Sequence, residues 1–175
     1  MKTVRWAAAL ALASMVSGAA SAQVHEGHDA HAGVPANAPL AAHVRAANGR
    51  FVNFNDAALK AEGYGPIPCT SGIDGGAMGI HYVNGKYLGE DTPRIDHPQA
   101  VLYEPDRFGY MTLVAVEYLT FKGPAQLEGQ LFSFTNAPNR FGLASFYELH
   151  VWAWKPNTKG VFTDFNPDVT CAFAK

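Results

Sequence analysis

Apolar positions recur at helical spacing only in the early part of the chain. Leu40, Val44 and Ala47 share one face of a helix that Asn48-Gly49 ends. A second short helix is predicted over residues 56–62, with Asn55 as its N-cap and Gly63 just past its end. Residues 65–79 contain Pro66, Pro68 and five glycines and are predicted as a loop. Beyond them the period becomes two, and strands are predicted over residues 80–83, 100–104, 111–121, 129–134, 146–154 and 161–163. Asn84-Gly85 has the dipeptide of a tight hairpin turn. The stretch 111–121 is apolar on both faces apart from Glu117, as in a strand covered on two sides. The pattern defines a mainly antiparallel β (α+β) domain over residues 40–175. It would be a single barrel or sandwich-like unit with one or two N-terminal helices.

The alternation also sorts side chains by face. Along 146–154, Leu149, Val151 and Ala153 line one side, and Phe146, Glu148, His150, Trp152 and Trp154 the other. Glu148 and His150 therefore start about 6–7 Å apart and point the same way. His81 shares a face with Val83, and Glu117 with Leu113, Ala115 and Leu119. Three interior strands thus each carry an ionisable group.

Composition narrows the setting. Charged residues make up 16% of the chain, below the usual quarter, which fits a domain with a large interior. Lys2 and Arg5 precede an apolar run from Ala7 to Val16, and Ala20-Ser21-Ala22 is a small-x-small cleavage site. Residues 1–22 read as a signal peptide, placing the mature protein in the periplasm or outside the cell. No stretch is long and apolar enough for a transmembrane helix. Loss of Lys2 and Arg5 makes the formal charge of −2 more negative, which argues against nucleic-acid or anionic-membrane partners. Residues 23–39, rich in Ala, Gly, His and Pro, read as a flexible tail. In an oxidising compartment Cys69 and Cys171 are expected to form a disulfide. The alternative, a cysteine nucleophile or free thiols, has no Cys-x-x-Cys to support it. A bridge closing a loop of about 100 residues would contribute roughly 4–5 kcal/mol at most.

His81, Glu117, Glu148 and His150 make a set suited to a divalent ion such as zinc, copper, iron or nickel. His97, Tyr103 and Glu104 are candidates for supporting positions behind them. Two other readings stay open on the same residues. The buried glutamates can pair with buried histidines or with Tyr82, Tyr103, Tyr118 and Tyr147, merely fixing the core of an interaction module that works through its loops. A metal-dependent enzyme of hydrolase or oxygenase type would need an open coordination position. Paired carboxylates for sugar chemistry rest on residue type alone. The tail holds a separate candidate in His25, His28 and His31. With cleavage after Ala22, His25 becomes the third residue and can join the terminal amine and two amide nitrogens around Cu(II) or Ni(II). Cyclisation of Gln23 would remove that amine. No Gly-x-Ser-x-Gly occurs, and the glycines at 72, 75, 76 and 79 do not spell a phosphate-binding loop.

Four motifs in order carry a resemblance. They are Met78-Gly79-Ile80-His81-Tyr82, Leu102-Tyr103-Glu104-Pro105, Val116-Glu117-Tyr118 and Leu149-His150-Val151-Trp152-Ala153-Trp154, followed by Phe165-Asn166-Pro167-Asp168-Val169-Thr170-Cys171. With these the chain resembles a family of exported bacterial proteins to which no reaction is assigned. The resemblance covers most of residues 63–171 and ties His81, Glu117 and His150 to the family's motifs. Gln99 stands where similar proteins carry glutamate, which weakens any argument for a ligand there, and Asn157-Thr158 stands where Asn-Pro is usual. The sequence therefore leads to an exported domain binding a divalent metal or a small ligand through an interior His/Glu cluster.

Overall fold

A computed structural model describes residues 39–72 and 75–175. The expected signal segment and His25, His28 and His31 lie outside the described residues. Helix α1 (Pro39–Ala47) is followed by a 3-10 turn at Gly49–Phe51 and helix α2 (Asp56–Ala61). Leu40, Ala41 and Val44 are buried on α1, and Leu59 on α2. Asn55 caps α2 by accepting the Ala58 N–H at 3.0 Å, and Gly63 follows in the left-handed region with φ 95°. Both helices match the sequence expectation.

The strands are β1 (Tyr64–Pro66), β2 (Thr70–Ser71), β3 (Ala77–Asn84), β4 (Ala100–Pro105), β5 (Met111–Thr120), β6 (Gln126–Leu127), β7 (Gln130–Leu131), β8 (Ser133–Thr135) and β9 (Phe146–Val151), with helix α3 (Gly85–Glu90) after β3. Seven form one antiparallel sheet in the order β1-β3-β4-β5-β9-β8, with β2 also paired to β3. The sheet is open, so the barrel alternative is not realised; the α+β class is. Strand β5 lies between β4 and β9, and all its residues from Leu113 to Thr120 are buried. That burial follows from covering on both faces. On one face α1, Phe51 and α2 pack against Tyr82, Val101, Tyr103, Val116, Tyr118, Leu149 and Val151. On the other, Ala100, Leu102, Ala115 and Trp152 pack with Val169 of the C-terminal segment. The expected disulfide, Cys69–Cys171, ties that segment to the β1–β2 loop with a Cα–Cα distance of 5.7 Å. No described helix is long and apolar enough to cross a membrane.

Several local expectations are corrected. Asn84-Gly85 is not a hairpin turn: the Asn84 side chain accepts the N–H groups of Lys86 and Tyr87 at 3.0 and 3.1 Å and so starts α3. The loop expected over 65–79 contains part of β1, all of β2 and the start of β3. The strand expected over 129–134 is split, because Glu128 and Gly129 turn β6 into β7 with positive φ, and Phe132 then drops into the helix-side core. Strand β9 stops at Val151, and no strand forms over 161–163. There the Trp152 N–H and indole N–H are taken by the carbonyls of Val161 and Thr163, at 3.0 and 2.6 Å. Leu113 does not share a face with Glu117. Leu102 pairs with Ala115 but Tyr103 with Leu113, so Val114 is the extra residue of a bulge and the faces beyond it exchange. Gly79, with φ 99°, lies so close to β4 that a Cβ would stand 2.7 Å from the Tyr103 carbonyl oxygen.

Candidate metal centre

Register alone brings the ionisable residues to one face of the sheet. Glu117 on β5 pairs directly with His150 on β9, and Leu119 with Glu148. Across β4, Ala100 is paired with both Val83 and Glu117. Its small side chain leaves room for His81 of β3 to reach Glu117. His81 Nε2 lies 3.6 Å from Glu117 Oε2, and the His81 and His150 rings stand perpendicular with centroids 6.1 Å apart. One ligand atom from each of His81, Glu117 and His150 falls within 4.8 Å of the other two. Ligands about 2.0–2.2 Å from a first-row ion stand roughly 3–4 Å apart, so small side-chain rotations close the set.

Glu148 belongs to a second grouping. Its Oε1 accepts the Thr135 hydroxyl, and its Oε2 is 4.0 Å from His150 Nδ1. Asp164, from the irregular segment after β9, brings Oδ1 to 3.4 Å from the same nitrogen. Glu148, His150 and Asp164 thus form a further set of possible ligands that shares His150 with the first. The four residues expected together fall into two overlapping triads, and Asp164 is the member sequence reasoning missed. Its one signal is an acid within the aromatic stretch Phe162-Thr163-Asp164-Phe165.

The supporting residues expected behind the site are elsewhere. Tyr103 points to the helix face and donates to the Phe51 carbonyl at 2.7 Å. Glu104 pairs with Lys155 at 2.5 Å and accepts the Thr170 N–H at 3.0 Å. His97 packs against Tyr87 with the rings tilted by 58° and centroids 4.5 Å apart, and lies 3.3 Å from Asp96. The other tyrosines do not serve the cluster either. Tyr82 bonds Asp56 at 3.4 Å, Tyr118 bonds the Ile95 carbonyl at 2.7 Å, and Tyr147 packs on Phe134. Among the described residues, neither ring nitrogen of His81 nor Nε2 of His150 has a hydrogen-bond partner, and His150 Nδ1 has only the 3.4 Å approach of Asp164 and the longer one of Glu148, although all four nitrogens are buried. Buried polar atoms are rarely left so.

The charges are uneven. Burial and the positive charge of His150 push His81 down to about 3, so its ring is neutral near neutral pH. Burial raises Glu117, and the neighbouring Glu148 carboxyl raises it further, against the pull of His150. Burial alone would lower His150, but Glu117, Asp164 and Glu148 outweigh it and raise the ring above its ordinary value. Asp164 is held low by the adjacent His150. With Glu117 and His150 both raised, the pair holds protons where a cation would be favoured.

A cavity of about 540 Å³ opens on this face. His81 and Glu117 are among its lining residues, together with Val83, Leu119, Arg140 and Phe146. Comparison with family models, with curated proteins and with solved structures finds no match for the chain.

Proposed function

We propose that this domain binds a first-row divalent cation through His81, Glu117 and His150. The observation that carries the reading is the pair of buried imidazoles beside a buried carboxylate, His81 with neither ring nitrogen hydrogen-bonded and His150 with Nδ1 turned to Asp164 at 3.4 Å and Nε2 without a partner. Two neutral imidazoles and one carboxylate are a donor set used by zinc sites and by non-haem iron sites. Asp164 then holds the far side of the His150 ring, as carboxylates commonly orient metal-bound histidines. The cavity beside His81 and Glu117 favours an open site over a closed structural one, which supports a metal-dependent enzyme as the second reading. The disulfide fits an oxidising compartment, in line with export to the periplasm or beyond the cell. Membership of the exported bacterial family is proposed on the motifs that carry His81, Glu117 and His150.

Binding must displace the protons that Glu117 and His150 hold between them, because neither an imidazolium nor a protonated carboxyl ligates a cation well. Calorimetric titration with Zn²⁺ near pH 7, in two buffers of different ionisation enthalpy, measures this directly. The protein should carry alanine at positions 25, 28 and 31 so that the tail does not compete. Release of about one proton per ion or more is expected, with affinity falling as pH falls. Equal heats in both buffers, or undiminished affinity in His150→Ala, would overturn the assignment.

A further inference from the structure

Resting on that metal reading, we infer that the cavity receives a small organic carboxylate with an apolar body, its carboxylate placed on the bound cation. Of the three proposed ligands, only His81 and Glu117 line the cavity, so coordination positions they leave open face into it. A space of about 540 Å³ is the size that holds a small organic molecule. Its walls include Val83, Leu88, Leu119, Leu143 and Phe146, which suit an apolar body.

Charge selects the head group. Glu117 is the one carboxylate among the described lining residues, while Glu148 and Asp164 stand behind it against His150, so a divalent ion on His81 and Glu117 would offer the cavity a Lewis-acidic coordination position for a carboxylate oxygen. Arg140, from the β8–β9 loop, adds a positive charge to the same cavity. Its Nη1 donates to the Ser71 carbonyl at 2.9 Å, and among the described residues it forms no ion pair with a carboxylate. Arg140 is exposed at the edge of the cavity, with its guanidinium 5.8 Å over the Phe165 ring, and so presents its positive charge to a ligand that enters. An anionic ligand pairs with that charge, a neutral one does not, and a cationic one is repelled.

The test uses octanoate, octan-1-ol and octylamine as probes, titrated calorimetrically into oxidised protein with His25, His28 and His31 replaced by alanine. Zinc binding is measured first on the same sample. Octanoate is expected to bind the zinc-loaded protein at least about tenfold more tightly than octan-1-ol or octylamine, and tenfold more tightly than it binds the zinc-free protein. Arg140→Gln should weaken octanoate about three- to tenfold and leave zinc affinity unchanged. Zinc binding without any preference for octanoate overturns this inference and leaves the metal reading standing. Failure to bind zinc removes both.

Discussion

Two imidazoles with ring centroids 6.1 Å apart respond to one interior in opposite directions. Burial and the positive charge of His150 push His81 down, whereas for His150 the effect of burial is outweighed by Glu117, Glu148 and Asp164. The difference has a consequence for acid stability. The unfolded chain protonates His81 near its ordinary 6.5, the native protein only near 3, so stability falls as pH drops through that window. The slope from this group is at most about 1.4 kcal/mol per pH unit. In His81→Gln that contribution is gone. Urea denaturation at several pH values should therefore show the stability of the parent, relative to this variant, declining from pH 6.5 towards pH 3; a flat difference would mean the ring is not held neutral. At this scale the alternation along the strands made His81, Glu117 and His150 legible in the sequence, because a residue's face follows from its parity. Asp164 was not legible. It sits in a segment with no period, held under the sheet by the bonds that Val161 and Thr163 accept from Trp152, by Asn157 on Thr163 and Phe165, and by the pairing of Asn166 with Ala77.

Among the elements, β3 and the helix after it are held by one side chain. Asn84 is fully buried, caps α3 with its Oδ1, and donates from Nδ2 to the Glu62 carbonyl at 2.9 Å. Asn84→Ala removes the cap and leaves a carbonyl without its partner, a loss of about 2–3 kcal/mol. A lowered urea midpoint with an unchanged slope would be the expected record. The same residue explains why the turn reading failed. Asn-Gly is equally at home in a two-residue hairpin and at a helix start, and the short-range pattern does not distinguish them. Helices α1 and α2 were legible because their spacing and the Asn55 and Gly63 caps agree. Strand β5 was legible from its two-sided apolar run, but its bulge at Val114 was not, since a register shift depends on the partner strand. The segment 129–134 misled for a similar reason: its apolar residues divide between two different pairings.

For the whole molecule, the arrangement separates labour between the two sides of one sheet. Helices and tyrosines close one side into an apolar core with satisfied hydroxyls, while the other side collects the histidines, the carboxylates and the cavity. The C-terminal segment covers part of that second side and is fastened there by Cys69–Cys171, which closes a separation of 102 residues. Replacing both cysteines by serine should cost about 3–5 kcal/mol and lower the melting temperature markedly, as measured against the oxidised parent. This covalent tie was legible from the cysteine count and the expected compartment. An open sheet in place of a barrel was not, because closure depends on which edge strands meet. The central claim is that the second side holds a cation. It is tested most directly by elemental analysis of the oxidised protein, with alanine at positions 25, 28 and 31, after equilibration with zinc and removal of unbound ion. The expected result is about one equivalent retained, with a raised melting temperature, and loss of both in His81→Ala and His150→Ala. Less than about a tenth of an equivalent, with no gain in melting temperature, would contradict the account.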